Sequence, residues 1–158
     1  MKKIMFYIAL TIATCGISMG QEVDMMLYNR DINGVEIGDT LKYDQVVLQF
    51  GEPSNYYEHD SGDLGVDKRY IYGENSFHFN DDVFIGFSIH DSTFAALTNH
   101  IDGGLKVGDK LSRLDNFKYG KPEYHRWSTY RLFAGSDNPV NLIVENGIII
   151  GIDYHDPM

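Results

Sequence analysis

The chain contains two related stretches: residues 37–53 read IGDTLKYDQVVLQFGEP and residues 107–122 read VGDKLSRLDNFKYGKP. Both begin with a glycine–aspartate pair followed by a leucine two residues later, and both end with the spacing aromatic-G-x-P. A second related pair follows them, FNDDVFIGF at 79–87 and VENGIIIGI at 144–152. Because order and spacing are preserved, the sequence predicts a duplicated unit of roughly 50–55 residues.

Each of the first two stretches predicts a short helix with defined ends. Asp39 or Thr40, and Ser112 in the second copy, have side-chain oxygens that can cap a helix N-terminus. Gly51 and Gly120 lie where a left-handed C-cap residue is expected, and the proline two positions later prevents continuation. One helix per unit is therefore expected.

Strands are expected after each of these helices. Three aromatic-rich segments, 55–59, 68–72 and 77–79, read as strands, and Asn146-Gly147 is the strongest short hairpin signal in the chain. Asp81-Asp82 occupies the aligned turn in the first unit. The sequence thus predicts an antiparallel hairpin at the end of each unit.

Regular pairing across these two turns makes both faces of each hairpin apolar. It predicts four facing pairs: Phe79 with Phe84, Phe77 with Gly86, Val144 with Ile149, and Leu142 with Gly151. The other apolar residues then point to the opposite side: Val83, Ile85, Phe87 and Ile89 in one hairpin, and Ile148, Ile150 and Ile152 in the other. One short helix covers only one face, so the second face needs a partner, the sister unit or neighbouring loops. Gly86 and Gly151 recur at the same place and indicate a bulge or strong curvature.

These motifs resemble a known architecture. Asp44-Gln45-Val46 and Phe50-Gly51-x-Pro53, followed by strands, resemble the helix-then-sheet modules of outer-membrane assembly lipoproteins of the SmpA/OmlA (BamE-like) type. Two such modules in tandem resemble the β-lactamase inhibitor protein (BLIP-like) fold, over residues 35–90 and 104–155. The resemblance implies an α+β protein of two tandem repeats, each a short helix followed by an antiparallel sheet. It also implies a binding module. The inhibitor's cysteine pairs are missing, so no β-lactamase target or assembly role is carried over.

The predicted organisation has five parts: a signal peptide at 1–20, an N-terminal segment at 21–34, repeat units at 35–92 and 105–158, and a linker at 93–104. Lys2 and Lys3 precede an apolar stretch at 4–17, and a small residue at Gly20 suits signal-peptidase cleavage. The alternative is lipidation at Cys15, the only cysteine, but Thr14 replaces the small residue that normally precedes a lipidated cysteine. Export to the periplasm or cell envelope is therefore expected.

Composition restricts the partners. The 158 residues carry 13 basic and 23 acidic side chains, a net charge of −10. An acidic surface repels nucleic-acid backbones and anionic membranes, so neither is expected as a partner, and membrane insertion is not expected after cleavage. Another protein is the expected partner, with a basic one favoured by charge complementarity, and a homodimer through the apolar sheet face is an open alternative.

The candidate protein interface is aromatic, because tyrosine and tryptophan provide large contact areas at low side-chain entropy. Its members are Tyr57, Tyr70, Tyr72, Phe77, Phe79 and Phe84 in the first unit, and Trp127 and Tyr130 in the second.

No catalytic or metal-binding pattern is found. The six histidines have none of the HxH, HxxxH or HExxH spacings, so no metal is expected. The acidic loop 59–67 lacks the spacing of an EF-hand, and Gly38 and Gly108 lack the glycines and lysine of a phosphate-binding loop. No serine lies in a G-x-S-x-G elbow. The sequence therefore predicts a non-enzymatic envelope protein that binds another protein without a cofactor, as an inhibitor or immunity protein does. The alternative is a small envelope hydrolase or ligand carrier with a site between the two units.

Overall fold

The computed structural model describes residues 30–133 and 138–155. The predicted signal peptide with Cys15, and most of the predicted segment 21–34, lie outside this part of the chain. Within it, no helix has the length and apolar character needed to cross a membrane.

The described residues form ten strands and one α-helix. The strands are β1 (Asp31–Ile32), β2 (Val35–Glu36), β3 (Asn55–Asp60), β4 (Val66–Tyr72), β5 (Asn75–Asn80), β6 (Val83–Ile89), β7 (Glu123–Arg126), β8 (Thr129–Leu132), β9 (Val140–Glu145) and β10 (Ile148–His155). The helix is α1 (Tyr43–Phe50), and 3₁₀ turns cover Gly62–Leu64 and Leu111–Leu114. β1 and β2 form a two-stranded sheet, and all other strands form one antiparallel sheet in the order β3-β4-β5-β6-β10-β9-β8-β7.

The predicted fold class, an α+β protein of two tandem helix-plus-sheet repeats, is wrong. One continuous eight-stranded sheet and a two-stranded sheet dominate the described residues, and α1 is the only α-helix among them. The second expected helix is only the 3₁₀ turn at Leu111–Leu114. Asp115 and Asn116 follow that turn, and their short polar side chains compete with helical backbone hydrogen bonds. β6 also pairs with β10, which makes one sheet out of the two halves.

The predicted N-terminal caps, Asp39 or Thr40 and Ser112, are also wrong. α1 begins after Lys42, and the side chain of Gln45 accepts a hydrogen bond from the Lys42 amide at 2.9 Å. Asp39 instead accepts from the Glu36 amide at 2.9 Å. At the other end, Gly51 has φ +87° and follows the helix as predicted, because this conformation favours glycine.

Both glycine–aspartate motifs hold a neighbouring strand. The Gly38 amide donates to the Phe84 carbonyl at 2.8 Å, and the Gly108 amide donates to the Ile149 carbonyl at 2.8 Å. The Phe84 amide in turn donates to the carbonyl of Asp39 at 2.8 Å. The amides that a phosphate-binding loop would need are therefore already engaged with protein carbonyls.

A β-bulge in each of the two central strands sets the sheet's apolar face. Phe79 pairs with Phe84 as predicted, but the next pair is His78 with Gly86, so Ile85 is an extra residue in β6. In β10 the pairs Ile149–Val144 and Gly151–Ile143 leave Ile150 extra. The recurring glycines were therefore a correct signal for bulges.

The bulges correct the expectation of two apolar faces. The predicted pairs Phe77–Gly86 and Leu142–Gly151 are wrong, because the extra residues shift the pairing to Phe77–Phe87 and Leu142–Ile152. A shift of one residue moves every later side chain to the other face. Phe84, Phe87 and Ile89 therefore all lie in the core, while Gly86 and Ser88 lie on the opposite face.

The core covers only this one face of the sheet. Phe50 of α1 stacks on Phe77, with 4.5 Å between ring centroids, and Phe94 stacks on Phe77 at 4.9 Å. The segment predicted as a linker supplies buried Phe94, Ala96 and Leu97. The side-chain carboxylate of buried Asp31 accepts hydrogen bonds from Gly34, Thr98 and Asn99, which fastens β1 to this segment. The opposite face is largely polar.

Candidate binding surfaces

Four of the eight predicted interface residues are core residues. Tyr70, Phe77, Phe79 and Phe84 are at most 1% exposed. Their rings contact one another in tilted and edge-to-face arrangements, such as Tyr70 with Phe79 at 5.2 Å. These four side chains are therefore unavailable to another protein, and they stabilise the sheet instead.

The other four predicted residues do not form one surface. Tyr72 is half-buried and donates its hydroxyl to the Gly51 carbonyl at 3.1 Å. Tyr130 is half-buried on β8, near one edge of the sheet. Tyr57 is 56% exposed on β3, at one sheet edge, while Trp127 is 85% exposed beside β7, at the other edge. Exposed aromatic residues are thus split between the two edges.

Carboxylates gather at one end of the sheet. The hairpin loop 61–65 between β3 and β4 lies beside the two-residue turn between β5 and β6, because the Asp81 amide donates to the Val66 carbonyl at 2.8 Å. We call this region the acidic end, and its acidic residues are Asp60, Asp63, Asp67, Asp81 and Asp82. Three of them are far apart in sequence from the other two, so strand pairing creates the cluster.

Hydrogen bonds fix the shape of the acidic end. Within the loop, the Ser61 hydroxyl donates to the Asp67 carboxylate at 2.9 Å and the Gly62 amide to the Asp60 carboxylate at 2.8 Å. Asn80 ties the loop to the neighbouring turn by donating its side-chain amide to the Leu64 carbonyl at 2.8 Å. A loop held in this way loses less conformational entropy on binding a partner.

Gly65 is required by the geometry of this loop. Its φ is +89°, and a Cβ there would lie 2.6 Å from the side-chain oxygen of Asn80 and 2.8 Å from a carboxylate oxygen of Asp81. Any other residue would therefore be strained at this φ and would displace the side chains of Asn80 and Asp81, which hold the loop against the β5–β6 turn.

The acidic end presents one apolar side chain among its charges. Leu64 is 77% exposed at the 3₁₀ turn. Lys68 is the nearby cation, and its Nζ lies 2.6 Å from Asp82 Oδ1. Hydrogen bonding to Asp82 is the largest cause that raises the pKa of Lys68. The charge of Asp82 is thereby paired with a cation, whereas Asp60, Asp67 and Asp81 accept hydrogen bonds from the uncharged groups Gly62 N–H, Ser61 O–H and Val66 N–H.

A second surface is the polar face, the side of the eight-stranded sheet opposite the core. One row across it runs Tyr57, Arg69, His78, Gly86 and His155, in strand order. The adjacent row contains Ile71, Ser76, Ser88, Asp153 and Asn141. This face concentrates titratable and hydroxyl groups that the sequence pattern alone did not bring together.

The hydroxyl–imidazole pair on the polar face is poorly suited to nucleophilic catalysis. Ser76 Oγ lies 3.2 Å from His78 Nε2, and Arg69 donates a hydrogen bond to the same oxygen at 3.3 Å. Burial, followed by the nearby charges of Arg69 and His155, lowers the pKa of His78 to about 4. His78 is therefore a neutral but weak base at pH 7. In the described residues, no carboxylate makes a hydrogen bond to His78, so the third member of a triad is missing.

Asp153 and His90 form the other charged contact on this face. His90 Nε2 lies 3.5 Å from Asp153 Oδ1. Burial raises the pKa of the Asp153 carboxyl despite a hydrogen bond from Ser88 and the proximity of His90. Within the ranges 30–133 and 138–155, no group of three or more His, Cys, Asp or Glu side chains has the arrangement of a metal site. The acidic loop 59–67 lies within these ranges.

Sequence reasoning missed the two features that define the acidic end. Leu64 carries no periodic signal because it stands alone in a loop, and the proximity of loop 61–65 to Asp81 depends on the β4–β5 register. The one usable signal was the density of aspartate and glycine at 60–67. Aspartate and glycine are also typical of an ordinary solvated loop, so this density alone does not identify a binding surface.

Comparison with protein-family models, with curated proteins and with solved structures finds no match to this chain. The resemblance to BamE-like and BLIP-like modules therefore stays a prediction based on the quoted motifs.

Proposed function

We propose that this protein is a non-enzymatic binding module that engages a basic protein through its acidic end. The observation that carries the proposal is Leu64, a 77% exposed leucine held in a hydrogen-bonded loop among carboxylates. An apolar anchor within a ring of polar groups is the usual composition of a binding hot spot. The loop geometry is fixed before the partner arrives, which suits an inhibitor or immunity protein.

The distribution of charge supports a basic partner. Residues 35–92 hold twelve acidic and three basic side chains, whereas residues 105–158 hold seven of each. The net negative charge therefore belongs to the half that carries the acidic end. Opposite potentials on two proteins speed their encounter and exclude wrong partners.

The test is capture from a cell-envelope extract by the tagged full chain and by two variants. Leu64→Ala combined with Asp63→Asn removes the anchor and one exposed charge. Leu48→Ala is the matched control, because Leu48 is 88% exposed on α1, away from the acidic end. We expect a basic protein that is retained by the wild type and by Leu48→Ala, lost by the double variant, and released by added salt.

Equal capture of the same proteins by the double variant and by the control contradicts the proposal. Capture that is unaffected by salt contradicts the electrostatic part of it, because exposed charges more than about 10 Å apart are screened at 0.1 M ionic strength.

We further propose export to the periplasm or cell envelope, from the signal-like residues 1–20. Sequencing of the purified chain tests this, with Gln21 as the expected new N-terminus. A chain that retains Met1, or a lipid on Cys15, contradicts cleavage after Gly20.

A further inference from the structure

Two asparagine–glycine pairs form the turns of two hairpins. Asn33-Gly34 joins β1 to β2, and Asn146-Gly147 joins β9 to β10. The φ angles are +50° and +86° in the first turn and +51° and +76° in the second, and all four residues are exposed. The two turns therefore match in sequence and in backbone conformation, and they differ in what surrounds them.

An asparagine that precedes a glycine can lose its side-chain amide without an enzyme. The backbone nitrogen of the glycine attacks the asparagine Cγ: the N–Cγ bond forms, the Cγ–Nδ2 bond breaks, and ammonia leaves with the proton of the glycine N–H. Water then opens the five-membered imide at either C–N bond, which leaves an aspartate or an isoaspartate. Glycine favours the reaction because it has no Cβ to hinder the attack. The reaction requires a glycine N–H that is open to solvent, a free asparagine side chain, and a turn that opens far enough for the two atoms to meet.

Hydrogen bonds close the first turn against this reaction. The Gly34 amide donates to the Asp31 carboxylate at 3.0 Å, and an anionic acceptor opposes loss of the N–H proton. Asn33 Oδ1 accepts from the Ala95 amide at 3.0 Å, and the Asn33 amide donates to the Ala95 carbonyl at 2.9 Å. Asp31 is itself 0% exposed. Ring closure at Asn33 would therefore break three hydrogen bonds and disturb a buried carboxylate.

The second turn lacks these restraints. Among residues 30–133 and 138–155, none makes a hydrogen bond to the Asn146 side chain or to the Gly147 amide. A Cβ at Gly147 would meet no atom of a non-adjacent residue within 4 Å. A solvent-open depression of about 400 Å³ lies against the turn, and it is also lined by Lys110, Ser112 and Asp115. Water therefore reaches both reacting groups of this turn.

We propose that Asn146 is a site of spontaneous deamidation, which converts it to aspartate and isoaspartate while Asn33 keeps its amide. The isoaspartate product adds one carbon to the main chain before the nitrogen of Gly147. The Gly147 carbonyl accepts a hydrogen bond from the Leu111 amide at 2.9 Å, at the start of the 3₁₀ turn that carries buried Leu114. The longer main chain displaces this acceptor and loosens the 3₁₀ turn, whereas the aspartate product leaves it in place.

Peptide mapping by mass spectrometry tests the proposal on the purified full chain, after incubation at mildly alkaline pH with and without urea. Aspartate and isoaspartate peptides are separated by chromatography and quantified at both sites. In the folded protein we expect Asn146 to convert at least about tenfold faster than Asn33, because opening the first turn breaks more hydrogen bonds. In urea the two rates should come within about twofold of each other, since no structure then protects Asn33.

Asn146→Asp is the matched variant for the structural consequence, because it introduces the same charge without lengthening the main chain. Limited proteolysis within 108–114 should be faster for the incubated wild type than for freshly purified Asn146→Asp. Asn146→Gln should keep the incubated protein resistant, since glutamine closes the corresponding ring far more slowly.

Conversion of Asn33 at the same rate as Asn146 in the folded protein would overturn the proposal. A rate ratio that urea leaves unchanged would also overturn it, because the local sequence and not the fold would then set the difference. Equal proteolysis of the incubated wild type and of Asn146→Asp would contradict the loosening of the 3₁₀ turn. None of these readouts involves the acidic end, so they leave the proposed function untouched.

Discussion

His78 shows how one position on the polar face couples the fold to pH. Its half-buried ring lies beside Ser76, Arg69 and His155, where a second positive charge is unfavourable. The consequence is a pKa lowered to about 4, with burial as the largest cause. The folded protein therefore keeps His78 neutral in a range where the unfolded chain protonates it.

This pKa predicts a loss of stability in mild acid. Between pH 6.5 and about 4 the unfolded state binds the extra proton at His78, so the free energy of unfolding falls as pH falls through this window. We expect His78→Gln to flatten this dependence by about 1–2 kcal/mol, allowing for solvent screening of a partly exposed group. Urea unfolding at several pH values measures it.

His59→Gln is the control, because this exposed histidine leaves the His78 contribution in place. The raised pKa of Asp153 has the opposite effect on stability, because the folded state then binds a proton more readily than the unfolded state as pH falls. This contribution is common to the wild type and to His78→Gln, so it cancels in the difference between their free energies of unfolding. Identical pH profiles for His78→Gln and the wild type would contradict the burial of a neutral imidazole.

Comparison of Gly65 with Gly62 separates two costs of adding a side chain to loop 61–65, the backbone strain at positive φ and the steric clash with neighbouring atoms. Both have positive φ, but a Cβ at Gly62 meets nothing within 4 Å, whereas at Gly65 it meets Asn80 and Asp81. We expect Gly62→Ala to cost about 1 kcal/mol and Gly65→Ala about 2 kcal/mol or more. Urea unfolding gives the stability, and limited proteolysis reports the loop. Equal costs would show that the loop accommodates the methyl group.

At the scale of the element, the two bulges decide which strand residues reach the core. Gly86 and Gly151 occupy equivalent positions beside the extra residues Ile85 and Ile150, but they face different neighbours. A Cβ at Gly86 would lie 2.7 Å from the backbone carbonyl oxygen of Tyr154. At Gly151 its nearest neighbour is the flexible end of Ile143, at 3.0 Å.

Alanine substitutions at these glycines should therefore differ in cost. We expect Gly86→Ala to destabilise the protein by about 2–3 kcal/mol, because β6 must move away from β10, and Gly151→Ala by about 1 kcal/mol. Urea denaturation midpoints at constant m-value measure the difference. A larger cost at Gly151 would contradict the observed packing between the two central strands.

The limits of sequence reasoning are visible in the same strands. Turns at Asp81-Asp82 and Asn146-Gly147 were predictable because turn chemistry is local, and both the Phe79–Phe84 and Val144–Ile149 pairs follow from it. The extra residue of each bulge, Ile85 or Ile150, comes one position after the paired residue Phe84 or Ile149. Hydrophobic alternation does not reveal the bulge, because the residues on either side of it are apolar or glycine. Regular alternation therefore predicts the wrong face for the side chains beyond each bulge.

Longer-range features were less accessible still. The acidic end depends on strand pairing that places residues 61–65 against Asp81, and the missing second helix depends on Asp115 and Asn116, whose effect competes with an otherwise helical motif. The aromatic interface was half wrong for one reason: large apolar rings fill a core as readily as they fill an interface. Only burial separates the two cases.

At the scale of the whole molecule, the single apolar face removes the reason to expect a homodimer. The polar face carries Arg69, His78 and Asp153, and the free edge at β3 carries Glu58 and Asp60, which would lie close to their counterparts if two copies paired there. The other free edge, β7, is only four residues long and contains an irregularity in its pairing.

We therefore predict a monomer. Light scattering on the full chain should give a mass of 18.0 kDa, independent of protein concentration. The Leu48→Ala variant should give the same result, although Leu48 is the most exposed leucine within residues 30–133 and 138–155. A mass that doubles with concentration, at low and at high salt, would contradict this prediction.

The bulges also make β6 tolerant of a lost residue at one position and intolerant of it two positions later. Ile85 is the unpaired extra residue, so its deletion would leave His78 opposite Gly86 and Phe77 opposite Phe87, and would remove only the local bend. Deleting the paired Phe87 would instead exchange the two faces of the rest of the strand, bringing Ser88 inward and Ile89 outward. A single lost codon is therefore harmless to the strand register only where the chain already holds one residue too many.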